Sequence, residues 1–170
     1  MISYIECWVD NMTEALERRK AYGSIGDRSF ERFCSVNSIF FKQFGISAEE
    51  GFNMGKERYF KIPKLIQCSP DYFMIRNKFH FVECKMADKQ TASHIKIKRH
   101  DLAFYKQWSS VESLLFYFHN PTYHESYLVE MCYIEQLFES GELEEGCYPD
   151  NNKTFYKIPM EDVRRFGKQV

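Results

Sequence analysis

The amino-acid sequence predicts an α/β fold of packed strand and helix layers, and three observations point there. Short runs rich in Phe, Val, Ile and Tyr, such as Phe79–Lys85 and Ser113–Phe118, have the length of strands. Between them lie stretches of about 10 to 15 residues whose apolar positions recur with the helical period. The make-up, 44% hydrophobic and 28% charged over 170 residues, is that of a globular chain able to bury a core, and it excludes collagen-like, heptad-repeat and disordered classes. No internal repeat, low-complexity tract or Pro/Gly/Ser-rich linker divides the chain. A single domain over 1–170 is therefore expected, its core at about 26–120 with a strand and a helix added at each end.

In chain order, residues 2–9 read as a short strand, and Asn11-Met12-Thr13-Glu14 has the form of a capping box opening a helix that runs to about Tyr22 and stops at Gly23. Gly26-Asp27-Arg28-Ser29 reads as a turn. From Phe30 onward Phe33, Val36, Phe40, Phe41 and Phe44 recur at helical spacing, with Gly45 as the stop. Residues 46–56 read as loop, and Glu57–Ile62 as a strand ended by Pro63. Asp71–Ile75 and Phe79–Lys85 form a hairpin across Arg76-Asn77-Lys78, where Asn77 tolerates the turn conformations required. A helix is expected over Ile97–Trp108, a buried strand at Ser113–Phe118 and a helix around Tyr127–Glu139. The chain closes with a strand at Lys153–Ile158 and a short helix after Pro159.

The formal net charge is -1, from 23 Lys plus Arg against 24 Asp plus Glu, which excludes a surface that coats nucleic acid uniformly and leaves local patches as the means of contact. Six cysteines, at 7, 34, 68, 84, 132 and 147, are widely spaced, with no C-x-x-C and no His or Cys cluster at zinc-ligand spacing. Reduced thiols are expected, rather than disulfides, a structural zinc or an iron-sulfur cluster. No apolar run reaches the roughly 20 residues that span a bilayer, and Met1-Ile2-Ser3-Tyr4-Ile5-Glu6 lacks the basic-then-apolar layout of a signal peptide. The expectation is a soluble intracellular protein with no membrane partner.

The stretch that carries chemistry is the hairpin. Side chains alternate across a strand, so Glu83 and Lys85 project from one face while Val82 and Cys84 project from the other. The hairpin brings the start of its first strand toward the end of its second, so Asp71 arrives near both. Two carboxylates and an ammonium form a site able to hold a hard dication and to offset charge developing on phosphorus. The same residues also suit a turn-capping Asp71 beside an ordinary exposed Glu83–Lys85 pair.

Pro70-Asp71 followed by Glu83-Cys84-Lys85, the one acid-x-lysine triplet in the chain, resembles the PD-(D/E)xK nuclease superfamily. Gly26-Asp27-Arg28-Ser29-Phe30-Glu31-Arg32-Phe33, leading into a helix that ends at Phe44-Gly45-Ile46, is similar to the archaeal-type Holliday-junction resolvases within it. The resemblance implies a restriction-endonuclease-like core, with a mixed central β-sheet flanked by α-helices. It implies a Mg²⁺-dependent DNA endonuclease, Mn²⁺ substituting, in which Asp71, Glu83 and the Cys84 backbone carbonyl hold the ion. Lys85 would orient the attacking water, and Glu31 would contact the metal directly or through water. Alone, Glu31 reads better as a first-turn acid favoured by the helix dipole, and only together with the downstream hairpin does the metal role come first.

Family members also carry a downstream helix with a Gln-x-x-x-Tyr pattern. Here Asp101 stands four residues before Tyr105, so no glutamine role is carried over. Lys96, Lys98, Arg99 and His100 form one expected phosphate-binding cluster. Lys56, Arg58, Lys61 and Lys64, interleaved with Tyr59 and Phe60, form another, although a strand with one polar face has the same pattern. A catalytic chain with little surface for reading bases favours DNA shape, hence branched or otherwise structured DNA. A four-way junction offers two equivalent strands, which implies a homodimer. The alternatives are a nicking or restriction-type nuclease, a DNA exonuclease, and a non-catalytic binding module with the nuclease fold.

Overall fold

The computed structural model describes residues 21–22, 24–46, 55–148 and 152–170, without the side chains of Lys56 and Glu57. In chain order its elements begin with α1 (24–36), β1 (Phe40–Gln43), α2 (Lys56–Tyr59), α3 (Lys64–Gln67), β2 (Tyr72–Ile75) and β3 (Phe79–Met86). They continue with β4 (His94–Lys98), α4 (Arg99–Val111), β5 (Leu114–Asn120), β6 (Glu125–Glu130) and α5 (Met131–Glu139). Last come β7 (Glu144–Cys147), β8 (Thr154–Pro159), α6 (Met160–Phe166) and β9 (Lys168–Gln169).

Among the described residues, six strands form one sheet in the order β1-β2-β3-β5-β6-β9. It is mixed: β3 and β5 run parallel, and the other neighbours run antiparallel. A second, antiparallel sheet has the order β4-β8-β7. The architecture is thus the expected mixed α/β arrangement, a central sheet flanked by helices. The central position of β5 explains its unbroken apolar run, because each face has its own layer to pack against. Leu115 and Tyr117 join Phe30 and Cys34 of α1 in one core. Leu114, Phe116 and Phe118 join Ile95 and Ile97 of β4, Leu102 and Tyr105 of α4 and Ile134 of α5 in the other.

Several element boundaries differ from expectation, each for a physical reason. Residues 26–29 are helical rather than a turn. Gly26 is there for close approach: a Cβ would sit 2.9 Å from Met86 Sδ, so glycine lets α1 lie against the end of β3. The Phe-rich helix stops at 36, well before Gly45, because Asn37 Nδ2 donates to Phe33 O at 2.8 Å and Ser38 takes a left-handed φ of 54°. Phe40 and Phe41 then belong to the edge strand β1, and Phe40 is exposed.

Within Glu57–Ile62 the chain makes the helical turn α2 rather than a strand, closed by Tyr59 N donating to Gly55 O at 3.0 Å. The expected helix at Ile97 begins at Arg99, because Ile95 and Ile97 point inward in alternation with Lys96 and Lys98, which makes β4. Around Tyr127–Glu139 the helix starts at Met131, since Tyr127-Leu128-Val129 pairs with β5 as β6. The hairpin, the buried strand, the late strand and the last helix stand as expected. The strand at 2–9 and the helix from Asn11 lie outside the described residues, apart from the helical pair 21–22. Among the described residues no helix is long and apolar enough to cross a membrane.

Gly45 anchors the end of β1 against the segment that enters β2. The N–H groups of Phe44 and Gly45 both donate to Asp71 O, at 2.9 and 3.2 Å, and a Cβ on Gly45 would meet Pro70 O at 2.7 Å. That oxygen is backbone and cannot step aside. Gly45→Ala should therefore cost about 1–3 kcal/mol, read as a lower urea midpoint with an unchanged slope.

Candidate active site

The alternation of β3 divides its side chains between the two cores: Phe81 joins the layer of α4, Val82 that of α1. Glu83 follows Phe81 inward and is only 4% exposed. Its Oε1 accepts from Lys85 Nζ, and from the Tyr105 hydroxyl at 2.5 Å. Its Oε2 is buried with no hydrogen-bond partner among the described residues. Tyr105 reaches this point because α4 turns Leu102 and Tyr105 toward the sheet.

Asp71 immediately precedes β2, and extending the β2–β3 register by one residue sets it opposite Glu83. Its Oδ2 accepts the Cys84 N–H at 2.8 Å. The hairpin thus brings Asp71, Glu83 and Lys85 together. The Cys84 carbonyl lies 3.5 Å from Lys85 Nζ, and it is the Cys84 thiol that gathers with carboxylate oxygens of Asp27 and Asp71, all within 4.8 Å of one another.

The helical acid at this point is Asp27, not Glu31. Both lie on one face of α1, one turn apart, but Gly26 presses the earlier turn against Met86 and so delivers Asp27. Glu31 is held further along by the Tyr72 hydroxyl, which donates to its Oε1 at 2.9 Å. Asp27 was hidden in the sequence because its segment reads as a turn.

A cleft of 840 Å³ opens here, lined by Asp27, Asp71, Cys84 and Lys85, with Lys96 and Lys98 from β4. Lys96 pairs with Asp88. Lys98 Nζ lies 3.8 Å from Asp101 Oδ2. Of the other expected phosphate contacts, Arg99 is directed instead at Glu145, 3.7 Å away, and the His100 ring at Asp101, 2.8 Å away. Arg58 and Lys61 are exposed and do not line the cleft, and the Lys56 side chain lies outside the described residues.

Electrostatically the site holds more acid than base. Burial, reinforced by the Glu83 carboxylate, pushes the Asp71 carboxyl well above its ordinary range despite Lys85 nearby. Burial also raises Asp27, against Lys85 and with Glu31 and Glu83. For Lys85, burial alone favours the neutral amine, but Glu83, Tyr105 and Asp71 reverse this and hold the ammonium firmly charged. One ammonium stands among three acidic side chains, two of which hold their protons more tightly than usual, and an added cation would favour their ionised forms. Two of the three gathered donors, the carboxylate oxygens of Asp27 and Asp71, fit a hard dication such as Mg²⁺, while the third, the Cys84 thiol, is a softer ligand.

The solved structure of D212, a nuclease from a fusselovirus, is similar to this chain with a TM-score of 0.43 and 9% identity, over 88% of this chain and 82% of that one. No protein-family model and no curated protein matches the sequence.

The raised Asp71 makes stability depend on pH. An acid that holds its proton more tightly when folded stabilises the protein below its unfolded pKa, and that contribution is lost as pH rises through the folded value. In a chelator, wild type should therefore lose stability relative to Asp71→Asn as pH climbs from about 4 toward neutrality. Thermal melts of the two proteins across that range measure the difference, and a constant gap would contradict it.

Proposed function

We propose that the chain hydrolyses phosphodiester bonds as a Mg²⁺-dependent DNA endonuclease, with Mn²⁺ able to substitute, and that it acts on branched or otherwise structured DNA. The supporting observation is the meeting of Asp71, Glu83 and Lys85 with Asp27 beside a cleft that Lys96 and Lys98 also line. Asp27, Asp71 and Glu83 would hold the cation. When bound, Mg²⁺ supplies Lewis-acid stabilisation of charge on the phosphoryl oxygens.

The chain's own residues do the remaining work. Glu83, itself held by the Tyr105 hydroxyl, fixes the Lys85 head group, and Lys85 orients the attacking water and offsets charge building on phosphorus. The water oxygen forms the new bond to phosphorus and loses a proton to solvent, while the bond to the 3′ oxygen breaks and that oxygen takes a proton from solvent, leaving a 5′-phosphate and a 3′-hydroxyl. Asp27 takes the role first expected of Glu31. Lys96 and Lys98 receive flanking phosphates. A four-way junction presents two equivalent strands, so on this substrate the enzyme acts as a symmetric dimer.

End-labelled four-way junction, flap, nicked, linear and single-stranded DNA, each incubated with Mg²⁺, Mn²⁺ or Ca²⁺, test the reading. Cleavage of branched DNA is expected in Mg²⁺ and Mn²⁺, with little in Ca²⁺. Asp71→Asn and Lys85→Ala should each lower the rate by about 10²-fold or more, and Asp27→Asn should cost more than Glu31→Gln. If wild type and Lys85→Ala behave identically in every metal while DNA binding persists, the chain is a binding module instead. Lys98→Ala should weaken DNA binding across all sequences and reduce the salt slope of log K by about 1, measured by fluorescence anisotropy.

A further inference from the structure

A second group of donors lies at the edge of the cleft, apart from the carboxylate site. Cys68 closes α3, while His100 and Asp101 open α4. A thiol sulfur, a ring nitrogen and a carboxylate oxygen from the three lie within 4.8 Å of one another. Asp101 Oδ1 is the focus: Cys68 Sγ is 3.9 Å from it and His100 Nε2 is 2.8 Å from it. Ligand atoms on a tetrahedral zinc, at about 2.0–2.3 Å from the ion, stand about 3.3–3.5 Å apart. Modest side-chain rotation closes the gap. We propose that Cys68, His100 and Asp101 form a binding site for a transition-metal dication of the zinc class, with a coordination position left open.

The donor chemistry selects the metal. A thiolate and an imidazole suit zinc and its neighbours and reject magnesium, which the carboxylate site prefers. One thiolate and one carboxylate neutralise a dication. The second oxygen of Asp101 lies 3.8 Å from Lys98 Nζ, an outer partner that orients the carboxylate and leaves Oδ1 for the ion.

The two supporting segments are held together without any metal. Cys68 N donates to Lys64 O at 2.9 Å, and Trp108 Nε1 from α4 donates to Leu65 O at 3.2 Å, docking α3 onto the helix that carries His100 and Asp101. Because Asp101 and Lys98 also line the cleft, the ion would add positive charge at its edge.

Co²⁺ is the probe. Titrated into the full-length, chelator-stripped protein at about neutral pH, it should give a sulfur-to-cobalt charge-transfer band in the near ultraviolet that saturates at one equivalent and is displaced by Zn²⁺. The band should vanish in Cys68→Ser and need at least about tenfold more Co²⁺ in His100→Ala. It should persist in Cys84→Ser and in Asp71→Asn, which alter the other acidic site. His100 is exposed, so its variant reports even where the cysteine variant fails to fold. No band in wild type, a band that survives Cys68→Ser, or one lost in Cys84→Ser would overturn the assignment.

Discussion

The structure is organised around a carboxylate in an apolar layer. Glu83 sits between Phe81 and Lys85 on a strand whose inward face is otherwise core, and taking such a group from water costs several kcal/mol unless charge and hydrogen bonds compensate. Lys85 and Tyr105 both compensate at Oε1, so removing either would leave a buried charge with less than it needs. Compensation is one-sided, however, because Oε2 has no partner among the described residues. An ion pair built for stability alone would satisfy both oxygens or be replaced by packed apolar side chains. A half-satisfied buried carboxylate next to the Asp71 position leaves one acceptor free, which is consistent with the cation site proposed above.

Topology explains why the needed groups meet at one end of the sheet. β3 and β5 are parallel neighbours, so the chain between them must cross over rather than turn, and that crossover contains β4 and α4. It leaves from the carboxyl end of β3, the end at which clefts form in sheets of this kind. The crossover thereby delivers Lys96, Lys98 and Tyr105 to the Glu83–Lys85 pair in one piece. The opposite face contributes through α1, whose glycine contact with Met86 sets its depth.

How much could be read from the sequence depends on the range of each signal. The hairpin and the approach of its polar residues were legible because strand alternation and a short turn are local: Asp71, Glu83 and Lys85 are fixed relative to one another within one supersecondary unit. β5 was legible from its unbroken apolar run. The start of α1 was not, since Gly26 signals a turn or a close approach equally well, and only the position of Met86 decides between them. That choice also determines whether Asp27 or Glu31 reaches the cleft. β4 carries a period of two in Ile95-Lys96-Ile97-Lys98, but its neighbour in the sheet is β8, far along the chain, so nothing local distinguished it from the adjoining helix α4. Cys68 and His100 lacked zinc-ligand spacing for the same reason: their proximity comes from the docking of α3 on α4, not from sequence distance.

The charge arrangement sets how a nucleic acid would be held on the proposed reading. A net charge of -1 gives no long-range attraction, and both cleft lysines of β4 already face carboxylates, Lys96 toward Asp88 and Lys98 toward Asp101. A phosphate must displace those partners, so each lysine contributes the difference between two ion pairs rather than a whole one. The acids of the site repel the same backbone until a cation covers them. Binding strength is then concentrated in the metal and in the shape of the cleft, which favours a substrate whose bend brings a phosphate inward over a straight duplex that offers only its outer charge.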